Sequence, residues 1–263
     1  MNIGAMNNFK LPLSLILSLL FLGHFSYCQD EKPADLIDGK TEKQIIQEYE
    51  YWSGIKDDWP NLEFYREANA KLEPPSSNES RIVFMGNSIT EGWILTSPEF
   101  FEGKQYIDRG ISGQTTPQML IRFRPDVIDL KPKVVVMLCG VNDIAQNTGP
   151  STLEMIEGNI ASMAELARAN AIKVILCSVL PAYDFPWRPG LEPAEKIVTL
   201  NKWIKEYATK NGFIYLDYFS SMADERNGMK SAYSEDGVHP NKAGYKVMEG
   251  LVEKVINRAL AAE

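Results

Sequence analysis

The sequence predicts an α/β protein: a three-layer α/β/α sandwich built on a mostly parallel sheet. Three observations predict it. Four compact runs, RIVFMG (81–86), KVVVMLCG (133–140), KVILCSVL (173–180) and FIYLDYF (213–219), are continuously apolar, the pattern of strands buried on both faces. Stretches with helical spacing lie between and after them, at the region following Ser88, TTPQMLIRFRPDVIDL (115–130), 151–171, 192–212 and 241–262. No internal repeat or low-complexity segment interrupts the alternation, so helices are expected to cover both sides of one sheet.

From the amino end, Lys10 is the only charge before the apolar run Leu11–Phe25, which is followed by Ser26, Tyr27, Cys28 and Gln29. This has the form of a signal peptide over 1–28, cut before Gln29. Tyr27 makes a poor lipoprotein context, although a retained anchor or a lipid on Cys28 is the alternative. The expectation is therefore an exported protein, periplasmic or extracellular. Residues 29–80 read as a helical extension and linker: Thr41 and Gln44 have capping-box spacing, and Ile45, Ile46 and Tyr49 recur at helical intervals. Trp52 and Trp59 are expected to pack this extension onto the main body, and EPPSSNES (73–80) closes it. The main domain is expected over 81–263.

Composition narrows the function. The 263 residues are 44% hydrophobic and 24% charged, ordinary for a globular chain. Without residues 1–28 the net charge is −9, from 26 Lys and Arg against 35 Asp and Glu. No basic patch offers a nucleic-acid footprint, and an acidic surface gains little from anionic membranes, so no stable membrane partner is expected. Cys139 and Cys177 sit at the ends of apolar runs and read as two buried thiols rather than a disulfide scaffold. One histidine, His239, remains after residue 28 and there is no C-x-x-C pair, so neither a metal nor another cofactor is expected.

Ligands of open parallel sheets bind beyond the carboxyl ends of the strands, which directs attention to GNSITEGW (86–93), DRGISGQTT (108–116), GVND (140–143) and SEDGVHPNKAGY (234–245). Gly86 and Gly92 are one residue too far apart for a P-loop, and Thr90 stands where a nucleophile elbow needs glycine. What survives is Ser88 at a strand-to-helix turn. Its bland alternative is a capping box with Glu91. A serine hydroxyl needs a base to act as a nucleophile, and His239 is the one imidazole available. Asp236 lies three residues before it, close enough in a tight turn to hold the ring's Nδ1; alternatively Asp236 or Asn241 merely caps the last helix. Acyl transfer also needs donors aimed at the oxyanion. Asn142 can supply an amide and Gly113 a main-chain N–H, unless both are only turn formers.

These four blocks, in this order, resemble those of the SGNH hydrolase superfamily, the GDSL-type esterases and lipases, and especially its platelet-activating-factor acetylhydrolase-like branch. The resemblance spans about residues 81–250 and implies a flavodoxin-like fold, Ser88 as nucleophile, Asp236 and His239 completing a triad, and Ser88, Gly113 and Asn142 as oxyanion-hole donors. One departure stands out: the family usually has Asp before its serine and this chain has Asn87, from which altered local support, not lost catalysis, is expected. In AYDFPWRPG (182–190), Tyr183, Trp187 and Arg188 are candidate substrate contacts; alternatively the loop's aromatic residues only pin a proline-rich stretch to the body. An exported enzyme without an obvious greasy lid suggests a short acyl group, acetyl above all, on carbohydrate. The alternatives are lysophospholipid or thioester hydrolysis by the same chemistry, and a non-catalytic carbohydrate binder on this scaffold.

Overall fold

In the computed structural model, residues 41, 43–47, 57–76 and 78–261 are described, and the expected signal peptide and Trp52 lie outside them. The chain divides into two compact units, Met1–Tyr51 and Trp52–Glu263. In the first, 43–47 is helical and the expected capping box is present: Thr41 N donates to Gln44 Oε1 at 2.8 Å and Gln44 N to Thr41 Oγ1 at 3.4 Å.

The second unit holds a five-stranded, wholly parallel sheet: β1 (Ile82–Gly86), β2 (Tyr106–Gly110), β3 (Val134–Met137), β4 (Lys173–Cys177) and β5 (Ile214–Leu216), in the order β2-β1-β3-β4-β5. The helices are α1 (Arg66–Ala70), α2 (Ser88–Thr96), α3 (Thr116–Phe123), α4 (Val141–Ile144), α5 (Leu153–Ala169), α6 (Pro193–Asn211), α7 (Phe219–Met222) and α8 (Lys242–Ala261). α2 packs against α8, and α3, α5 and α6 pack in succession, giving the expected three layers. The core is the apolar runs themselves: every residue of β1 and β3 is buried, and Phe84, Trp93, Phe100 and Phe101 form an aromatic cluster. Cys139 and Cys177 are free and buried, as expected.

Two expectations need correction. β2 was not foreseen, because YIDRG carries a charged pair where the other strands are apolar. Asp108 and Arg109 are nonetheless buried, with Asp108 Oδ1 accepting from Gly110 N at 2.8 Å and Arg109 Nε and Nη2 donating to Asn69 Oδ1 at 2.9 and 2.7 Å. Burial pushes the Asp108 carboxyl up to about 7. The stretch 57–72, read as helix, is helical only at Asp57 and in α1. Pro60 and the left-handed Asn61, with φ +56, break it, and Asp58 accepts from Leu62 N and Glu63 N, each at 2.9 Å, to close a turn.

Order β2-β1-β3 reverses direction at β1, so a crevice opens between the carboxyl ends of β1 and β3. Gly86 and Gly110 are paired across β1 and β2 at its edge. A Cβ on Gly110 would stand 2.1 Å from Glu91 N and 2.7 Å from Asn87 O, so the absence of side chains lets the first turn of α2 lie directly on the strand ends. Gly110→Ala is expected to cost about 2–3 kcal/mol of stability through this clash. Urea unfolding measures it, and a loss under about 0.5 kcal/mol would mean that α2 moves aside freely.

Candidate active site

α2 starts one residue beyond β1. Its N-cap is Asn87, whose Oδ1 accepts from Ile89 N at 3.2 Å. Ser88 is therefore the first helical residue, and its side chain is not used for capping. Nor does Glu91 fold back: its Oε2 accepts from Ser112 N at 2.7 Å and from the Ser112 hydroxyl, tying α2 to the loop after β2. The capping-box alternative for Ser88 and Glu91 is thereby replaced by two separate contacts. Asn87 is fully buried, and its Nδ2 has no hydrogen-bond partner among the described residues.

The Ser88 hydroxyl meets His239 Nε2 at 3.0 Å across 151 residues of sequence. His239 Nδ1 meets Asp236 Oδ2 at 2.6 Å. A carboxylate can only accept, so in the neutral ring Nδ1 carries the proton and Nε2 is left as acceptor for the serine O–H. The turn that does this is built locally. Asp236 Oδ1 accepts from Val238 N at 2.9 Å, His239 N at 2.8 Å and Ser234 Oγ at 3.0 Å, and Gly237 supplies the positive φ of +79. Burial opposes ionisation of Asp236, but the bonds from the His239 ring and from the His239 and Val238 N–H groups outweigh it and hold the carboxyl at about 2. Capping falls to Asn241, whose Oδ1 accepts from Gly244 N at 3.0 Å. Tyr245, on the first turns of α8, donates to Ile89 O at 2.8 Å and so binds the helix that follows His239 to the helix that carries Ser88.

Asn142 stands in α4 behind a sharp turn at Gly140, whose φ is +109. It is buried, and its Nδ2 donates to Gln114 O at 2.9 Å, leaving the second amide hydrogen uncommitted among the described residues. Asp143 ties this turn to α3 by accepting from Thr116 N at 3.0 Å and Thr116 Oγ1 at 2.5 Å; burial raises its carboxyl to about 6 although the Thr116 bonds pull the other way. Gly113 has φ +77 and its carbonyl accepts from Asn147 Nδ2 at 3.3 Å. Neither Gly113 N nor Ser88 N has an acceptor among the described residues.

Residues 84–247 match the model of the GDSL-like lipase/acylhydrolase family. The chain belongs to that family. It is a carboxylic ester hydrolase. A crystal structure of a GDSL-like lipase from Bacteroides thetaiotaomicron is similar to it at 50% identity and a TM-score of 0.75, covering 76% of this chain and 98% of that one. Esterase TesA of Pseudomonas aeruginosa is 29% identical over 161 residues, 59% of this chain and 73% of that protein. An acetylxylan esterase of Xylanibacter ruminicola is 22% identical over 222 residues, 70% of this chain but only 45% of that longer protein.

In this GDSL-family hydrolase the three candidate substrate contacts differ in their surroundings. Trp187 lies beside His239, the two rings 5.9 Å apart, and is stacked at 5.2 Å on the buried Phe185. Tyr183 is 54% exposed, with the Arg226 guanidinium 4.6 Å from its ring, and lines a cleft of about 280 Å³ that reaches Asp236 and Gly237. Arg188 instead staples the loop, donating from Nη1 to Ala145 O at 3.1 Å and Gln146 O at 2.5 Å. A larger hollow of about 430 Å³ lies at the amino ends of β4 and β5, between Arg168, Lys173 and Phe213, at the end of the sheet away from Ser88 and His239. Sequence reasoning missed the groups that support the site, above all Arg122 and Gln114. Arg122 is wholly buried and donates to Gly86 O at 2.8 Å, Asp126 Oδ2 at 3.0 Å and Gln114 Oε1 at 2.5 Å. The one available signal was its i, i+4 spacing from Asp126.

Proposed function

We propose that the chain is an exported serine esterase that removes short acyl groups, acetyl foremost, from O-acetylated carbohydrate. The observation that carries the reading is the continuous chain of hydrogen bonds Ser88 Oγ to His239 Nε2, 3.0 Å, and His239 Nδ1 to Asp236, 2.6 Å. Ser88 Oγ attacks the ester carbonyl carbon as its proton passes to His239 Nε2, and Asp236 stabilises the imidazolium. The negative oxygen takes hydrogen bonds from Ser88 N, Gly113 N and the free hydrogen of the Asn142 amide, each worth about 3 kcal/mol in the transition state. The tetrahedral adduct collapses, the alcohol leaves with the proton from His239, and water, activated by the same imidazole, releases the acid and restores the Ser88 hydroxyl.

The carbohydrate assignment is supported by Trp187 and Tyr183, exposed aromatic faces on the loop beside His239, since flat aromatic rings pack well against sugar faces. It is also supported by the similarity to an acetylxylan esterase. The export assignment rests on the Leu11–Phe25 run and its small-residue boundary; residues 81–263 are then the catalytic domain. The test compares acetate release from a panel of acetylated oligosaccharides with cleavage of p-nitrophenyl esters of rising chain length. Acetyl preference enhanced by the sugar is the expected result. A preference for long acyl chains would overturn the substrate assignment and leave the chemistry standing.

A further inference from the structure

We infer that residues 57–69 form a positioning strap for the oxyanion hole and act on it through Gln114; the inference rests on the catalytic reading above. The strap begins at the turn closed by Asp58. The two carbonyls within that turn, Trp59 O and Pro60 O, accept from Gln118 Nε2 and Gln114 Nε2, each at 2.7 Å. Farther along, the strap is fixed independently of Gln114. Tyr65 Oη donates to Gly110 O at 2.5 Å, and Asn69 Nδ2 donates to Pro125 O at 3.1 Å and Asp126 Oδ1 at 2.7 Å.

Gln114 is the point where this framework meets the chemistry. Its side chain is buried and held at both ends, Nε2 by Pro60 O and Oε1 by Arg122 Nε. With donor and acceptor both engaged, the amide cannot flip or swing without losing a buried bond, at about 1–3 kcal/mol each. Its main-chain carbonyl in turn fixes the Asn142 amide at 2.9 Å. One hydrogen of that amide is thereby consumed, and the direction of the other is set by where Gln114 O stands. The residue after Gly113, the other loop donor, is thus clamped by a segment that lies before the first strand. Gln114 is a positioning residue: it touches neither substrate nor Ser88, and it sets the angle of a group that does.

The test is a double-mutant cycle in the full-length chain with a p-nitrophenyl acetate assay, using Gln114→Met and Asp58→Ala. Gln114→Met removes both side-chain bonds; Asp58→Ala loosens the turn that presents Pro60 O. Displacing a reacting or stabilising group by about 1 Å costs up to about 100-fold, so kcat is expected to fall about 10–100-fold for Gln114→Met and about 3–10-fold for Asp58→Ala, with KM within about threefold. The double variant is expected to be no slower than Gln114→Met alone, because both changes break one connection. Affinity for an aryl trifluoromethyl ketone, whose adduct carries the oxyanion, should fall in step with kcat/KM while product inhibition by acetate stays constant. If Gln114→Met does not fold, Gln114→Glu keeps the acceptor for Arg122, loses the donor to Pro60 O, and should show the same loss of kcat. An unchanged kcat in either position, or losses that multiply in the double variant, would overturn the inference. A full-length parent inert toward every ester would instead overturn the catalytic reading on which it rests.

Discussion

Ser88→Ala is expected to lower ester hydrolysis by about 10⁴-fold or more, since removing the nucleophile of a triad leaves only binding and oxyanion stabilisation. The fold should be indifferent to the change. Among the described residues the hydroxyl's one hydrogen-bond partner is His239 Nε2 at 3.0 Å, in a part-buried setting, and the cap of α2 belongs to Asn87. Thermal unfolding should therefore shift by no more than about 0.5 kcal/mol. Steady-state kinetics with p-nitrophenyl acetate, beside a melting curve, measures both. Residual turnover near that of the parent would remove Ser88 from its role and with it the meaning of the His239–Asp236 pair.

Arg122→Met is expected to produce the largest loss of stability, about 3–5 kcal/mol, because it strips one partner from a buried ion pair and strands the other. Arg122 has no exposed surface, and Asp126, Gln114 and the carbonyl of Gly86 all depend on it. Burial pulls its guanidinium below the usual arginine range, while the Asp126 carboxylate resists. The ion pair thus exists at a desolvation cost that only its full set of partners offsets. Urea unfolding at neutral pH gives the figure; a change below about 1 kcal/mol would mean that water or a neighbour replaces the guanidinium, contrary to this account. The same substitution should also slow catalysis, since Gly86 O anchors the strand end that precedes Ser88.

How much was legible beforehand depended on whether a residue's role is local. The strands at 82–86, 134–137, 173–177 and 214–216 were visible as apolar runs because burial leaves little room for polar side chains, completely in β1 and β3 and less so at Lys173 and in β5. α5, α6 and α8 were readable to within two residues from their periodicity. β2 was hidden because Asp108 and Arg109 are buried, Asp108 against Gly110 N and Arg109 against Tyr65 and Asn69, and nothing in YIDRG announces the partners of Arg109. The helical stretch expected over 115–130 is there as α3 and a π-helix, Arg124–Ile128, that continues from it, the winding changing where Pro125 lacks an N–H. At the site, Ser88 and His239 could be paired from sequence because one imidazole was available, and Asp236 was close to it in the chain. Gln114, Arg122 and the carbonyls of Trp59 and Pro60 could not be, since their contribution is contact between segments whose spacing carries no period. Arg188 illustrates the converse: beside two aromatic residues it looked like a substrate contact, and its neighbours in space turned out to be main-chain carbonyls.

Cys139 and Cys177 bear on the setting in which the chain works. Both thiols are wholly enclosed, and burial drives their ionisation far above the normal cysteine range. Thiolate is the form that oxidants and alkylating agents attack, so neither of these two cysteines offers a reactive thiol in the folded domain. At these two positions the fold is redox-indifferent: neither side chain calls for an oxidoreductase to finish it.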